Sequence, residues 1–253
     1  MAALAVLLWI KNRPEDLNQF PDGVHPEDAE DATQMTSPGA ASSVYHTAIS
    51  WSVGDALRSR AAMIIIIAAS AFTMVFNMCI AHGVVHLKDR GIDASIAANS
   101  VGLMVLASII GRLSCGTIGS RIEPRLIWCA GLISMALGIW MLSTASGNWQ
   151  VYVYALAIGT GFGASYVSVA TMIGNYFGPD SFAPIVGILT TITCIVGAIS
   201  PAMAGIIYDS YGDYSLAFTL LLAVAITGAA AIPFATPPKQ EMNKRASGAG
   251  VPS

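Results

Sequence analysis

Hydrophobic positions along this chain come in long unbroken blocks, not in alternation. Six blocks approach or exceed the roughly 20 apolar residues that cross a bilayer as a helix. They cover about 61–81, 96–111, 126–144, 151–173, 183–207 and 214–234. Outer-membrane strands would alternate apolar and polar residues, whereas Met63-Ile64-Ile65-Ile66-Ile67-Ala68-Ala69 is apolar on every face. Helices are therefore expected. The second block is short unless its helix continues through Arg112 toward Ile118. The expected fold is an all-α membrane protein with a six-helix bundle over residues 61–235.

The segments between the blocks set the orientation. Lys11, Arg13, Arg58, Arg60, Arg112, Arg121, Arg125, Lys239, Lys244 and Arg245 fall on one side of a six-span topology, and only Lys88 and Arg90 on the other. The positive-inside rule makes the richer side cytoplasmic, so both termini of the chain are expected there, in an inner or plasma membrane. Residues 11–60 read as a cytoplasmic linker, acidic around Glu27, Asp28, Glu30 and Asp31, too polar to fold alone. Its end, Trp51 to Arg60, reads as an amphipathic lead-in along the membrane surface. Residues 236–253 form a cytoplasmic tail. Met1 to Ile10 is apolar but half a span long, without the charged start and cleavage site of a signal peptide. It reads as the last turns of an earlier helix, and the chain as truncated.

Composition narrows the function. Of the 253 residues, 55% are hydrophobic and 11% charged, with a net charge of −3. A soluble domain carries about 25% charged residues, so a soluble enzyme is excluded as the default. No basic surface exists for nucleic acid. The four cysteines lie in or beside apolar blocks, in no Cys-x-x-Cys pair, and read as small buried hydrophobes. There is no Ser–His–Asp set, no Walker loop and no Asp or Glu within the blocks. Neither catalysis nor a cofactor is expected.

Three stretches carry a resemblance. Arg13-Pro14-Glu15-Asp16-Leu17 with Pro21-Asp22-Gly23 is one. His82-Gly83-Val84-Val85-His86-Leu87-Lys88-Asp89-Arg90-Gly91 is the second, and Gly111-Arg112-Leu113-Ser114-Cys115-Gly116 with Gly119-Ser120-Arg121 the third. In this order and topology the chain resembles the C-terminal half of a major facilitator superfamily transporter, of the oxalate/formate-antiporter-like and monocarboxylate-transporter-like branch. The resemblance implies that the six spans are helices 7–12 and that 1–10 is the tail of helix 6. It further implies a missing N-terminal six-helix half, with substrate held near the midplane between the halves.

Two departures from the family pattern bear on mechanism. The superfamily's loop motif usually carries an acidic residue before the basic one; here Ser120 precedes Arg121, which implies a weaker or different latch for the inward-closed state. Oxalate-type members carry a lysine in the middle of helix 11. This chain has Thr190-Thr191-Ile192-Thr193 there, which suits a monoanion better than a dianion. The expected cargo is a small organic anion such as a monocarboxylate, by symport or antiport with protons or a counter-anion. The alternatives are an uncharged or drug-like cargo, or a non-transporting membrane protein.

An ionisable group inside a span costs about 2.5–3.5 kcal/mol on insertion scales, which singles out Arg112. The resemblance implies that it binds the substrate carboxylate, for which a planar guanidinium fork is suited. The other reading is that it snorkels to the headgroups. His82, four residues before His86, is a candidate for substrate or proton contact, or a histidine that only hydrogen-bonds. A metal pair there lacks further ligands. Asn77, Ser165, Tyr166 and Thr191 are polar residues in apolar spans, able to face a cavity or to bond between helices. Gly116, Gly159, Gly161, Gly163 and Pro201 are expected to allow close packing and flexing during alternating access. Gly159-Thr160-Gly161-Phe162-Gly163 follows no strand and is not read as a nucleotide loop.

Overall fold

The structure, a computed structural model, describes residues 44–47, 51–119 and 121–238. The apolar stretch 1–10, most of the linker, Ser120 and the tail beyond 238 lie outside the described residues. The chain forms α1 (Val53–Arg58), α2 (Arg60–Asp89), α3 (Ala94–Ile118), α4 (Pro124–Ser143), α5 (Asn148–Phe177), α6 (Pro179–Tyr211) and α7 (Ser215–Ala231), then a 3-10 turn over Ile232–Phe234. Among the described residues, six helices are long and apolar enough to cross a membrane: α2 to α6, and α7 with its 3-10 turn. A helix satisfies its backbone groups within itself, which a lipid-embedded segment requires.

The helix boundaries follow from local chemistry. Ser59 caps α2 by accepting the Ala62 N–H at 3.1 Å. Asp93 caps α3, its carboxylate accepting the N–H groups of Ser95 and Ile96. Ser95 also donates its hydroxyl to Asp93 at 2.5 Å. These bonds hold the Asp93 carboxyl below the usual carboxylate range, because each favours the charged form. Pro124 opens α4, where its missing N–H costs nothing. Gly178, at φ +82°, turns the chain between α5 and α6, a conformation that a side chain would strain.

The first two spans lengthen most: α2 runs on to Asp89, and the second span takes the longer of its two expected courses. It does not end at Gly111 but runs to Ile118. The polar residues of its last turns are absorbed locally, Thr117 donating to the carbonyls of Leu113 and Ser114. The lead-in before the first span forms α1, with Ala56 buried.

Packing divides into two groups. α5 lies against both α3 and α4, while α6 lies against α2; α7 bridges them, packed chiefly on α4 and also on α2. The core between the groups is filled by large side chains that are fully buried, among them Trp128, Tyr154, Phe218, Leu132 and Met135. Phe72 of α2 meets Trp128 of α4 edge-on, ring centroids 6.2 Å apart. This contact joins the two groups.

Candidate functional site

The glycine-rich run of α5 explains how its neighbours are placed. A Cβ on Gly159 would overlap the Met104 carbonyl and lie 2.7 Å from the Ala107 Cβ. One on Gly163 would overlap the Ser108 carbonyl and lie 3.0 Å from the Arg112 nitrogen. These two glycines, four residues apart, share the face that meets α3. Gly161 lies half a turn round and meets α4, where a Cβ would stand 2.6 Å from the Met135 side chain. From the opposite side, Gly111 of α3 abuts the Thr160 carbonyl and the Ala164 nitrogen. Contact is thus backbone to backbone, as small residues permit.

This seam fixes the depth of Arg112. Its backbone packs against Gly163, at the middle of α5 (Asn148–Phe177). Within α3 (Ala94–Ile118) Arg112 stands nearer the Ile118 end than the Ala94 end. Its guanidinium carbon sits 5.4 Å from the Tyr166 ring centroid and 6.0 Å from that of Phe162. Phe162 in turn stacks on Phe76 of α2, with centroids 3.7 Å apart and planes 13° from parallel. Arg112 and Tyr166 are both exposed. Among the described residues the guanidinium makes no ion pair and no hydrogen bond.

The other polar candidates go elsewhere. Ser165 is fully buried, donates to the Gly161 carbonyl at 2.7 Å, and faces Gly131 of α4. One residue from Tyr166 it is turned by about 100°, into the α4–α5 seam and away from Arg112. Asn77 adjoins Phe76, but its amide packs on Gly197 of α6, where a Cβ would lie 2.7 Å away. Thr191 is exposed on α6 and bonds back to the Gly187 carbonyl at 2.9 Å.

His82 belongs to a separate cluster. Its Nε2 lies 3.0 Å from the Pro201 carbonyl oxygen, which can only accept, so that nitrogen carries a proton. In the neutral ring, Nδ1 then accepts from the Tyr214 hydroxyl at 3.1 Å. Both ring nitrogens are engaged within the bundle. His86 is buried against Phe218, centroids 4.7 Å apart. No group of metal ligands occurs among the described residues. Pro201 sits inside a continuous α6. It lacks the N–H that would reach the Gly197 carbonyl, and the Ser200 hydroxyl lies 3.1 Å from that oxygen and 2.9 Å from the Met74 carbonyl. Gly116 has nothing within contact of a built Cβ. Arg121 follows the helix end, its N–H donating to the Ile118 carbonyl at 2.9 Å.

Of the six predicted binding residues the structure brings Arg112 and Tyr166 together, with Asn77 one residue from the stacked Phe76. Phe76 and Phe162 are additions. Phe162 was legible in principle, four residues before Tyr166 and so on the same helix face.

Comparison with known proteins places this architecture. The chain is 26% identical to human monocarboxylate transporter 2 over 145 residues, covering 56% of this chain and 30% of that protein. It is 25% identical to the Bacillus subtilis uncharacterized transporter YycB over 147 residues, or 57% of this chain and 37% of that one. The chain thus spans well under two thirds of the length of these relatives. The crystal structure of the major facilitator transporter FucP in its outward conformation superposes with a TM-score of 0.63 at 17% identity, covering 94% of this chain and 65% of that one. Residues 61–252 match the sequence profile of the Major Facilitator Superfamily, and the chain belongs to that superfamily.

Proposed function

We propose that this chain forms the C-terminal half of a transporter for a small organic anion, a monocarboxylate in the first place. In this reading two six-helix bundles rock about a site near the midplane, with both termini of this chain in the cytoplasm. The observation that carries the reading is Arg112, a cation in the second half of a span, with aromatic faces and no counter-charge among the described residues. Its insertion costs about 2.5–3.5 kcal/mol, while cation–π contact returns about 0.5–2 kcal/mol. A bound carboxylate supplies the missing partner, accepting two parallel N–H bonds from the guanidinium. Tyr166 is placed to donate a hydroxyl to the same anion. The names of relatives such as monocarboxylate transporter 2 support this cargo, and Thr190 to Thr193 in place of a second cation favours one negative charge over two. Protons or a counter-anion would couple the cycle.

The test is uptake of labelled short carboxylates into proteoliposomes by the whole protein, comparing the natural form with Arg112→Ala and Arg112→Lys. Saturable uptake that is abolished in Arg112→Ala and weakened in Arg112→Lys supports the reading. Undiminished uptake in Arg112→Ala would reduce that residue to a membrane anchor. The aromatic lining also suits an uncharged or drug-like cargo, which uptake of such a compound by Arg112→Ala would select.

A further inference from the structure

The flank of the bundle away from Arg112 holds a groove of about 480 Å³ between α2, α6 and α7. We propose that it is a binding site for a single phospholipid acyl chain. Its floor is a stripe on α2, Ile67, Ala71, Met74 and Met78, at the helical spacing i, i+4, i+7, i+11. At 100° per residue this stripe lies roughly 150° round α2 from Phe72 and Phe76. The groove therefore opens away from the Arg112 face and away from the half that would close over that face.

Three features select hydrocarbon as the occupant. No charged side chain lines the groove, so a headgroup or an ionic partner finds no complement. Its two hydroxyls are already spent: Ser200 on the Met74 and Gly197 carbonyls, Thr227 on the Ala223 carbonyl at 2.7 Å. The shape is that of a chain. From Ile67 to Met78 the floor runs along the helix axis for about 16 Å at 1.5 Å per residue, close to half of a roughly 30 Å hydrocarbon core. The lips, Met203 on α6 and Leu220 on α7, are exposed. The groove is thus continuous with the apolar outer surface of the spans. α6 and α7 scarcely touch each other, and a chain lodged between them fills the gap that an unoccupied apolar cleft would leave without contacts. Three methionines line it, flexible side chains that adapt to an irregular guest.

The experiment uses the whole protein in vesicles of phosphatidylcholine doped with an analogue carrying a photoreactive group at mid-chain. The expected result is saturable labelling of one lipid per chain, within residues 67–78, 200–207 and 217–228. That labelling is lost in Ala223→Phe, which fills the groove from an exposed lip, while labelling at the exposed Leu106 and Ile110 of α3 is unchanged. Met203→Phe narrows the groove from the opposite lip and reads the same quantity if Ala223→Phe does not fold. Labelling spread evenly over all exposed apolar faces would overturn the proposal. So would labelling that survives both substitutions, or protein-to-protein crosslinks at this groove.

Discussion

α5 and α6 are neighbours in sequence, yet they are held in opposite ways. In α5, 56% of the most apolar stretch is buried inside the bundle, against 22% in α6. α5 is wedged between two helices by glycines laid on backbone. α6 leans chiefly on α2, through Gly197 on Thr73 and Asn77, Ser200 on the Met74 carbonyl, and His82 on the Pro201 carbonyl. The comparison separates two jobs. The tight seam sets the depth of Arg112 with little room for adjustment, whereas α6 leaves most of its surface outside the bundle and meets chiefly one neighbour, α2.

The seam is where the largest effects are expected. Gly163→Val and Gly159→Val drive side chains into the backbone of α3, and overpacking of this kind costs about 1–3 kcal/mol or more. Both variants should lose the monodisperse, folded species on size-exclusion chromatography. Gly187→Ala and Gly205→Ala on α6, where a Cβ meets nothing within 4 Å, should leave melting temperature unchanged or slightly raised. Equal damage from both pairs would erase the distinction between wedge and flank.

Effects on the flank formed by α2, α6 and α7 should be smaller and selective. Tyr214→Phe removes the hydroxyl donated from the start of α7 to His82 of α2, and Ser200→Ala the bond from α6 to the Met74 carbonyl. Each should lower stability by about 0.5–1.5 kcal/mol, the net worth of one hydrogen bond, measured by thermal unfolding in detergent. No change in either would mean that these two bonds add nothing to the apolar contacts of α2 with α6 and α7. The smallest effect expected is at Asp93, an exposed cap whose pKa is lowered in the folded state. Its stabilisation is present above the unfolded-state pKa near 3.8 and is lost as pH falls through the still lower folded value. Asp93→Ala should therefore narrow its stability deficit against the natural chain as unfolding is followed from pH 6 down to pH 3.

How much of this was legible in the sequence differs by region. The six spans were, because apolar runs on all faces have one viable fold in lipid. The second was legible in both its courses, an apolar block stopping at Gly111 or a helix continuing toward Ile118. Hydropathy could not choose, because it counts Arg112, Ser114 and Thr117 as polar without knowing that Thr117 bonds back to its own helix. Arg112 and Tyr166 stood out as polar residues in apolar surroundings. Phe76 and Phe162 did not, because an aromatic in an apolar helix carries no contrast. Ser165 was grouped with Tyr166 by proximity, although adjacent helical residues point about 100° apart. The partners of His82 were beyond reach, lying 119 and 132 residues away.

The most direct test of the account is binding itself, measured as thermal stabilisation of the purified whole protein by short monocarboxylates and by their uncharged amides. The account predicts that the carboxylates raise the melting temperature of the natural protein, that the amides do not, and that neither stabilises Arg112→Ala. Equal stabilisation by acid and amide, or stabilisation that persists in a folded Arg112→Ala, would contradict it.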